Sequence, residues 1–250
     1  MTPANRSSVC PRLLLLWDID RTLVYTGHTD RLVYREAFAA LVGRPARVLP
    51  AKGTGRTVPR AVEELLRVNG VPEAEVHGLA EEMVAQVPER QAAHLDHMRA
   101  HGYVLAGARR AVRAVADRPD VAAGVVTGNL RRSAELKLRA FALDGDVETA
   151  VGGYSSDDPH RPHLVAVAQR RAGERYGTVF TRDTTVIVGD SLEDVHTGVE
   201  GGARVVAVAS GTTAAADLAA AGADSVLEDL RDVGALLDAV GAWIPGGFSA

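Results

Sequence analysis

LLLLWDIDRT, residues 13–22, decides how this chain is read. Four leucines and Trp17 make a short, unbroken apolar run, the pattern of a strand buried on both faces. Asp18 and Asp20 stand at its carboxyl end, two residues apart. In an open parallel sheet, ligands bind beyond the carboxyl ends of the strands. Carboxylates placed there need a cation or a proton to offset the cost of burial. An isolated D-x-D is also what a strand ending in a polar turn looks like. The choice depends on whether other strands bring matching residues to the same edge.

Two of them do. VAAGVVT (121–127) is an apolar run that ends in Thr127, Gly128 and Asn129. TTVIVGD (184–190) ends in Gly189, Asp190 and Ser191, with Asp194 four residues beyond Asp190. Helical patterns at 106–118, 131–143 and 163–177 alternate with these runs, and the alternation continues to the end of the chain. That rhythm predicts an α/β fold with a doubly wound, Rossmann-like parallel sheet. Residues 25–104 differ. They read as four helices, at 34–42, 61–68, 73–87 and 89–100, with no strand-like alternation. The expected organisation is an α/β domain of residues 1–24 and 105–250, with an all-helical domain, 25–104, inserted after its first strand. Residues 1–12 and the closing IPGGFSA read as loose tails.

Composition removes several function classes. The 250 residues carry a net charge of −4, so no global basic field would hold nucleic acid or an anionic membrane. Cys10 is the single cysteine, which excludes an internal disulfide. The apolar stretch near the start is too short for a signal-peptide core, and no window approaches a membrane span. The expectation is a cytoplasmic protein, monomer or homodimer, acting on a small molecule.

Converging Asp18, Asp20, Asp190 and Asp194 call for a hard cation, and an oxygen-only ligand set favours Mg²⁺. Exposed amides at helix starts suit a phosphate. Together they point to metal-assisted phosphoryl transfer.

These residues resemble the hydrolases of the haloacid dehalogenase (HAD) superfamily, of the kind that includes phosphoglycolate phosphatase. The first signature, D-x-D-x-T, stands as Asp18-Ile19-Asp20-Arg21-Thr22. The second stands as VVTGN at 125–129, and the fourth, G-D-x-x-x-D, as Gly189 to Asp194. The inserted helices resemble the family's helical cap. The resemblance implies Asp18 as nucleophile, forming an aspartyl-phosphate. It implies Asp20 as general acid, then base. Thr127, Gly128 and Asn129 would hold the phosphoryl oxygens. Mg²⁺ would sit on Asp18, Asp190, the Asp20 backbone carbonyl, and Asp194 directly or through water.

Two departures bear on the site. The family usually has Gly where this chain has Arg21, so the turn there must form without glycine's freedom. The third family motif is a lysine, and Arg161-Pro162 stands at its place. Arg161 is favoured as the phosphate-binding cation, since its guanidinium fork suits phosphate; the alternative is that it pairs with Asp157 or Asp158. Lys137, expected on a surface helix, is the competing cation. In the loop 51–60, Gly55-Arg56-Thr57-Val58-Pro59 resembles the segment that related enzymes lower over substrate, with Val58 where an Asp often stands. Arg56 and Thr57 are therefore candidate substrate contacts, and a solvated Arg56 is the alternative. His94, His97 and His101 share a helical face, read as a half-buried surface rather than a metal site.

The function expected is a Mg²⁺-dependent phosphatase of a small phosphorylated metabolite. A phosphomutase needs the same site. A dehalogenase would use the same nucleophile on carbon without a metal. A non-catalytic binding module on this fold is the alternative from another class.

Overall fold

The computed structural model describes residues 10–50, 55–244 and 247–248. The expected tail at 1–9, Thr54 in the loop, and parts of the closing IPGGFSA lie outside the described residues.

The first strand, β1 (Leu13–Trp17), is buried along its whole length. Its alternate side chains feed different layers, as period-two geometry requires. Leu13, Leu15 and Trp17 join one apolar cluster, and Leu14 and Leu16 join another. After the turn at Asp20 come β2 (Val24–Tyr25) and four helices: α1 (Gly27–Val42), α2 (Val58–Val68), α3 (Glu73–Ala93) and α4 (Leu95–His101). The chain returns through β3 (Tyr103–Val104), which pairs antiparallel with β2. It continues as α5 (Ala108–Ala116), β4 (Val121–Thr127), α6 (Arg131–Ala140), β5 (Gly153–Tyr154) and α7 (His163–Tyr176). Then follow β6 (Thr185–Gly189), α8 (Leu192–Gly201), β7 (Arg204–Val208), α9 (Ala215–Ala220), β8 (Ser225–Leu227) and α10 (Val233–Gly241).

The expected doubly wound sheet is present. Six parallel strands lie in the order β5-β4-β1-β6-β7-β8. One face packs on α5, α6 and α10 through residues such as Val112, Leu138 and Leu236. The other packs on α7 through Leu164, Val165 and Ala168. β1 has β4 on one side and β6 on the other, and the strand order reverses there. That switch point is where such sheets open a ligand crevice. Trp17 is in register with both Val125 and Val188, so Asp18 emerges between the ends of β4 and β6.

The helical insertion has its own apolar cluster, with Phe38, Leu65, Leu66 and Met83 at its centre and Leu130 reaching in from the segment before α6. Three expectations about it are corrected. First, α1 begins at Gly27, a full two turns before 34. Second, α3 runs through Pro88 to Ala93, and α4 starts only at Leu95. A mid-helix proline costs about 3 kcal/mol; here Met83, Val87 and Gln91, four residues apart on one buried face, carry the packing across it. Third, the block is not purely helical at its ends, since β2 and β3 form a ribbon where it leaves and rejoins the sheet domain. Tyr25 and Tyr103 stack across that ribbon at 5.2 Å between ring centres. Among the described residues no helix is long and apolar enough to cross a membrane.

Candidate active site at the carboxyl edge of the sheet

Three strand ends deliver the site. Asp18 follows β1, Thr127 closes β4, and Asp190 follows β6; all three are buried. Asp194 is in the first turn of α8, where it completes a capping box with Ser191. Its Oδ2 accepts from the Ser191 amide at 2.9 Å and from Ser191 Oγ at 2.6 Å. One carboxylate oxygen from each of Asp18, Asp190 and Asp194 lies within 4.8 Å of the others. Asp20 is not part of that group.

Arg161, just ahead of α7, is buried with them. Its Nη2 donates to Asp18 Oδ1 at 2.9 Å and to Asp194 Oδ1. The alternative pairing is overturned. Asp157 pairs with Arg171 at 2.7 Å, and Asp158 with His163 at 2.9 Å. Thr22 Oγ1 donates to Asp190 Oδ1 at 3.0 Å, but Asp190 Oδ2 is buried without a hydrogen-bond partner.

The electrostatics follow from crowding. Burial and the neighbouring Asp194 hold the Asp18 carboxyl well above its ordinary range, against the pull of Arg161. Burial, then Asp194, pushes Asp190 up to about 8. Arg161 bonds two of the three carboxylates, and crowding pushes Asp18 and Asp190 toward their neutral forms. A hard dication fits this donor set: oxygen ligands only, an orphaned acceptor, and crowded carboxyls whose ionised forms a cation would favour.

A second cluster lies beside the first. Lys137, expected on a helix surface, is instead 2% exposed. Its Nζ donates to Asp20 Oδ1 and Oδ2, both at 2.8 Å, and to Asp30 Oδ2 at 2.9 Å. Asn129 Nδ2 donates to Asp20 Oδ2 and to Thr127 Oγ1, each at 2.8 Å. Burial would raise Asp20, but the Lys137 charge and the donors around it hold it below its ordinary value. Arg21, which follows, adopts a positive φ of 67°, the conformation glycine would supply.

The insertion closes over this edge. The Val58 amide donates to the Gly128 carbonyl at 2.9 Å, Thr57 Oγ1 to the Pro159 carbonyl at 3.0 Å, and Arg161 Nη1 to the Gly55 carbonyl. Two glycines allow that approach. Gly55 has φ +68°, and a Cβ there would press on Ser191 Oγ and Arg161 Nη1. A Cβ on Gly128 would meet the Arg56 carbonyl oxygen at 2.5 Å. Between the two parts lies a cavity of about 170 Å³. Asp18, Asp20, Asn129, Lys137, Arg161 and Asp190 line it from the sheet side, and Asp30, Arg31, Tyr34, Arg56 and Gln91 from the helical side.

The structure thus brings together Asp18, Asp20, Thr127, Gly128, Asn129, Lys137, Arg161 and Asp190 at one cavity, with Asp194 behind them. Arg56 reaches it too, while ion-paired to Glu64. Thr57 does not line it; its hydroxyl clasps the sheet domain instead. The histidine face has local partners: His94 bonds Glu36 at 2.7 Å and His97 bonds Thr29 at 2.9 Å. Among the described residues only the Asp18, Asp190, Asp194 group is placed to hold a metal. Asp30 and Gln91 also line the cavity, and no motif in the sequence marks either. Asp30 sits in GHTD, a stretch with the composition of a turn, and no sequence signal ties it to Lys137.

Residues 159–233 match the profile of a family described as HAD-hydrolase-like. No curated protein matches the chain. Similar solved structures include a hydrolase from Pseudomonas syringae, 20% identical, covering 90% of this chain and 98% of that one with a TM-score of 0.67. A predicted phosphoglycolate phosphatase from Haemophilus somnus is 16% identical, covering 92% and 99%, at 0.63. A HAD family hydrolase from Deinococcus radiodurans, with bound phosphate and sodium, is 19% identical, covering 94% and 99%, at 0.55. The chain has the HAD-like fold, an α/β Rossmann-like core, and the resemblance drawn from its motifs stands on both findings.

Proposed function

We propose that this protein is a Mg²⁺-dependent phosphatase that hydrolyses a small phosphorylated metabolite through an aspartyl-phosphate on Asp18. The observation that carries the reading is the buried trio Asp18, Asp190 and Asp194, which has one guanidinium for three carboxylates and an unpartnered Asp190 Oδ2. Mg²⁺ would be held by these residues and the Asp20 backbone carbonyl, and would supply charge neutralisation between nucleophile and phosphate. The solved relative with bound phosphate is consistent with that ligand.

The chain's own residues then divide the work. An Asp18 carboxylate oxygen attacks phosphorus, the bond to the ester oxygen breaks, and Asp20, which must first take up a proton against the pull of Lys137, gives that oxygen its proton. Asp20 next takes a proton from water as the water attacks phosphorus. Orthophosphate leaves, the Asp18 carboxylate is restored and Asp20 is again protonated. Arg161 keeps a positive charge at the transferring group's oxygens, while Thr127 and the amides of Gly128 and Asn129 receive them. Residues 25–104 act as a cap that excludes bulk water. The cavity is close to the ~150 Å³ that holds one benzene ring, so the substrate is a phosphate on a few carbons rather than a macromolecule.

A panel of small phosphomonoesters and 2-haloacids, assayed with Mg²⁺ and with EDTA, tests this. Phosphate release that requires Mg²⁺ is expected. Full turnover of a phosphomonoester in EDTA, or halide release as the main activity, would contradict it.

A further inference from the structure

Asp20 is held by groups that come from both sides of the cavity. Its Oδ1 accepts from Lys137 Nζ at 2.8 Å and from Thr26 Oγ1 at 3.1 Å; its Oδ2 accepts from Lys137 Nζ and Asn129 Nδ2, each at 2.8 Å. Thr26 and Lys137 do not end there. Lys137 also donates to Asp30 Oδ2 at 2.9 Å, and the single Thr26 hydroxyl proton is shared between Asp20 and Asp30 Oδ2, which lies 2.8 Å from Oγ1. Gln91 Nε2, from α3, closes the other side of Asp30 by donating to Oδ1 at 2.8 Å. Lys137 is 2% exposed and Gln91 3%, while the Asp20 and Asp30 side chains keep 38% and 21%, so the donors are buried and the carboxylates border the cavity.

This arrangement has no need of a phosphate to explain it. Lys137 is fully engaged by two carboxylates, one from each side of the cavity. We propose that Asp30 is a positioning residue for Asp20, acting through Lys137 and Thr26, so that docking of α1 and α3 on the sheet edge fixes the carboxylate that moves the proton. The inference rests on the phosphatase reading, in which Asp20 is that group. Its physical basis is that a long lysine side chain tied at one carboxylate keeps rotamer freedom, whereas one tied at two from opposite sides does not. A displaced acid–base group loses rate steeply, since misplacement by about 1 Å can cost roughly 100-fold.

The test uses Asp30→Asn, which keeps the shape and an acceptor for Gln91 but turns an amide NH2 toward Thr26 and Lys137 and removes the charge that holds Lys137. Thr26→Val, which removes the bridging hydroxyl at nearly constant volume, is the second variant. Asp20→Asn is the reference. Each is measured in single-turnover reactions with Mg²⁺ on nitrophenyl phosphate and on phenyl phosphate, after thermal melting shows that it is folded. The nitrophenolate leaves without a proton and phenolate at neutral pH needs one. The expected result for Asp30→Asn is a loss of about tenfold or more in the maximal rate on phenyl phosphate, a clearly smaller loss on nitrophenyl phosphate, and a KM within about twofold of the wild type. Thr26→Val should show the same pattern more weakly, and Asp30→Glu should recover part of the phenyl phosphate rate. Equal loss on both esters, or a change in KM alone, would overturn the proposal and make Asp30 a structural residue. If Asp20→Asn shows the leaving-group pattern and Asp30→Asn does not, positioning fails while the phosphatase reading stands. If wild type releases no phosphate from either ester or from any of the small phosphomonoesters, both fall together.

Discussion

The two carboxylate clusters at the sheet edge are built on opposite plans. Around Lys137, two carboxylates share one ammonium, and all four of their oxygens have donors. Around Arg161, two of three carboxylates share one guanidinium, and one buried oxygen of the third, Asp190, has no donor at all. A saturated network of charge-assisted hydrogen bonds holds its members in one place. An unsaturated one is costly unless something else arrives. On the proposed reading, the difference gives the first cluster to positioning and the second to receiving a cation.

The comparison breaks most visibly when each cluster loses one member. Lys137→Met strips the ammonium from two carboxylates and should destabilise the metal-free protein by about 3–5 kcal/mol, read as a large fall in denaturation midpoint. Asp190→Asn fixes in the neutral form a group that burial and Asp194 already push that way, and should raise the metal-free melting temperature as pH rises through about 8. Equal and opposite signs are not required, but the same sign for both would erase the distinction between the clusters.

A smaller effect sharpens it. Asp190 is raised from its ordinary 3.8 to about 8, so its neutral form is favoured in the folded protein. The stabilisation this gives is full below about pH 4 and is lost as pH rises through about 8. Mg²⁺ competes with that proton. The rise in melting temperature on adding Mg²⁺ should therefore be small at pH 5 and grow steadily to pH 8. A Mg²⁺ effect that shrinks with rising pH would contradict the assignment of Asp190 as a ligand.

How much of this was readable from the chain depends on distance along it. Asp18, Thr127 and Asp190 are legible because each ends an apolar run, and parallel strands put their carboxyl ends on one edge. Arg161 is legible through Pro162 and the helix it opens. Lys137 is misread as a surface residue because its helix turns it toward Asp30, whose partner lies 107 residues away. Nothing local marks GHTD as the start of α1, since Thr26 and Gly27 read equally well as a turn. The two-residue strands β2, β3 and β5 carry no period to detect. Their pairing comes from the tertiary structure.

The smallest expected effect concerns the docked loop. Gly55→Ala places a methyl against Ser191 Oγ and Arg161 Nη1 at φ +68°. It should lower kcat/KM by about tenfold through looser closure, with a melting temperature close to wild type, because few contacts of either core are touched. An unchanged kcat/KM would mean that the Gly55 contact with Arg161 plays no part in turnover.

The central claim is that the unsaturated cluster makes Asp18 a phosphoryl acceptor. Acid-quenched enzyme taken during turnover of nitrophenyl phosphate, digested and examined by mass spectrometry, reads this directly. The account predicts one phosphoryl group on the peptide that carries Asp18, present with Mg²⁺, absent with EDTA, and absent in Asp18→Asn. Rapid turnover with the adduct on another residue, or with the same adduct formed in EDTA, would contradict it.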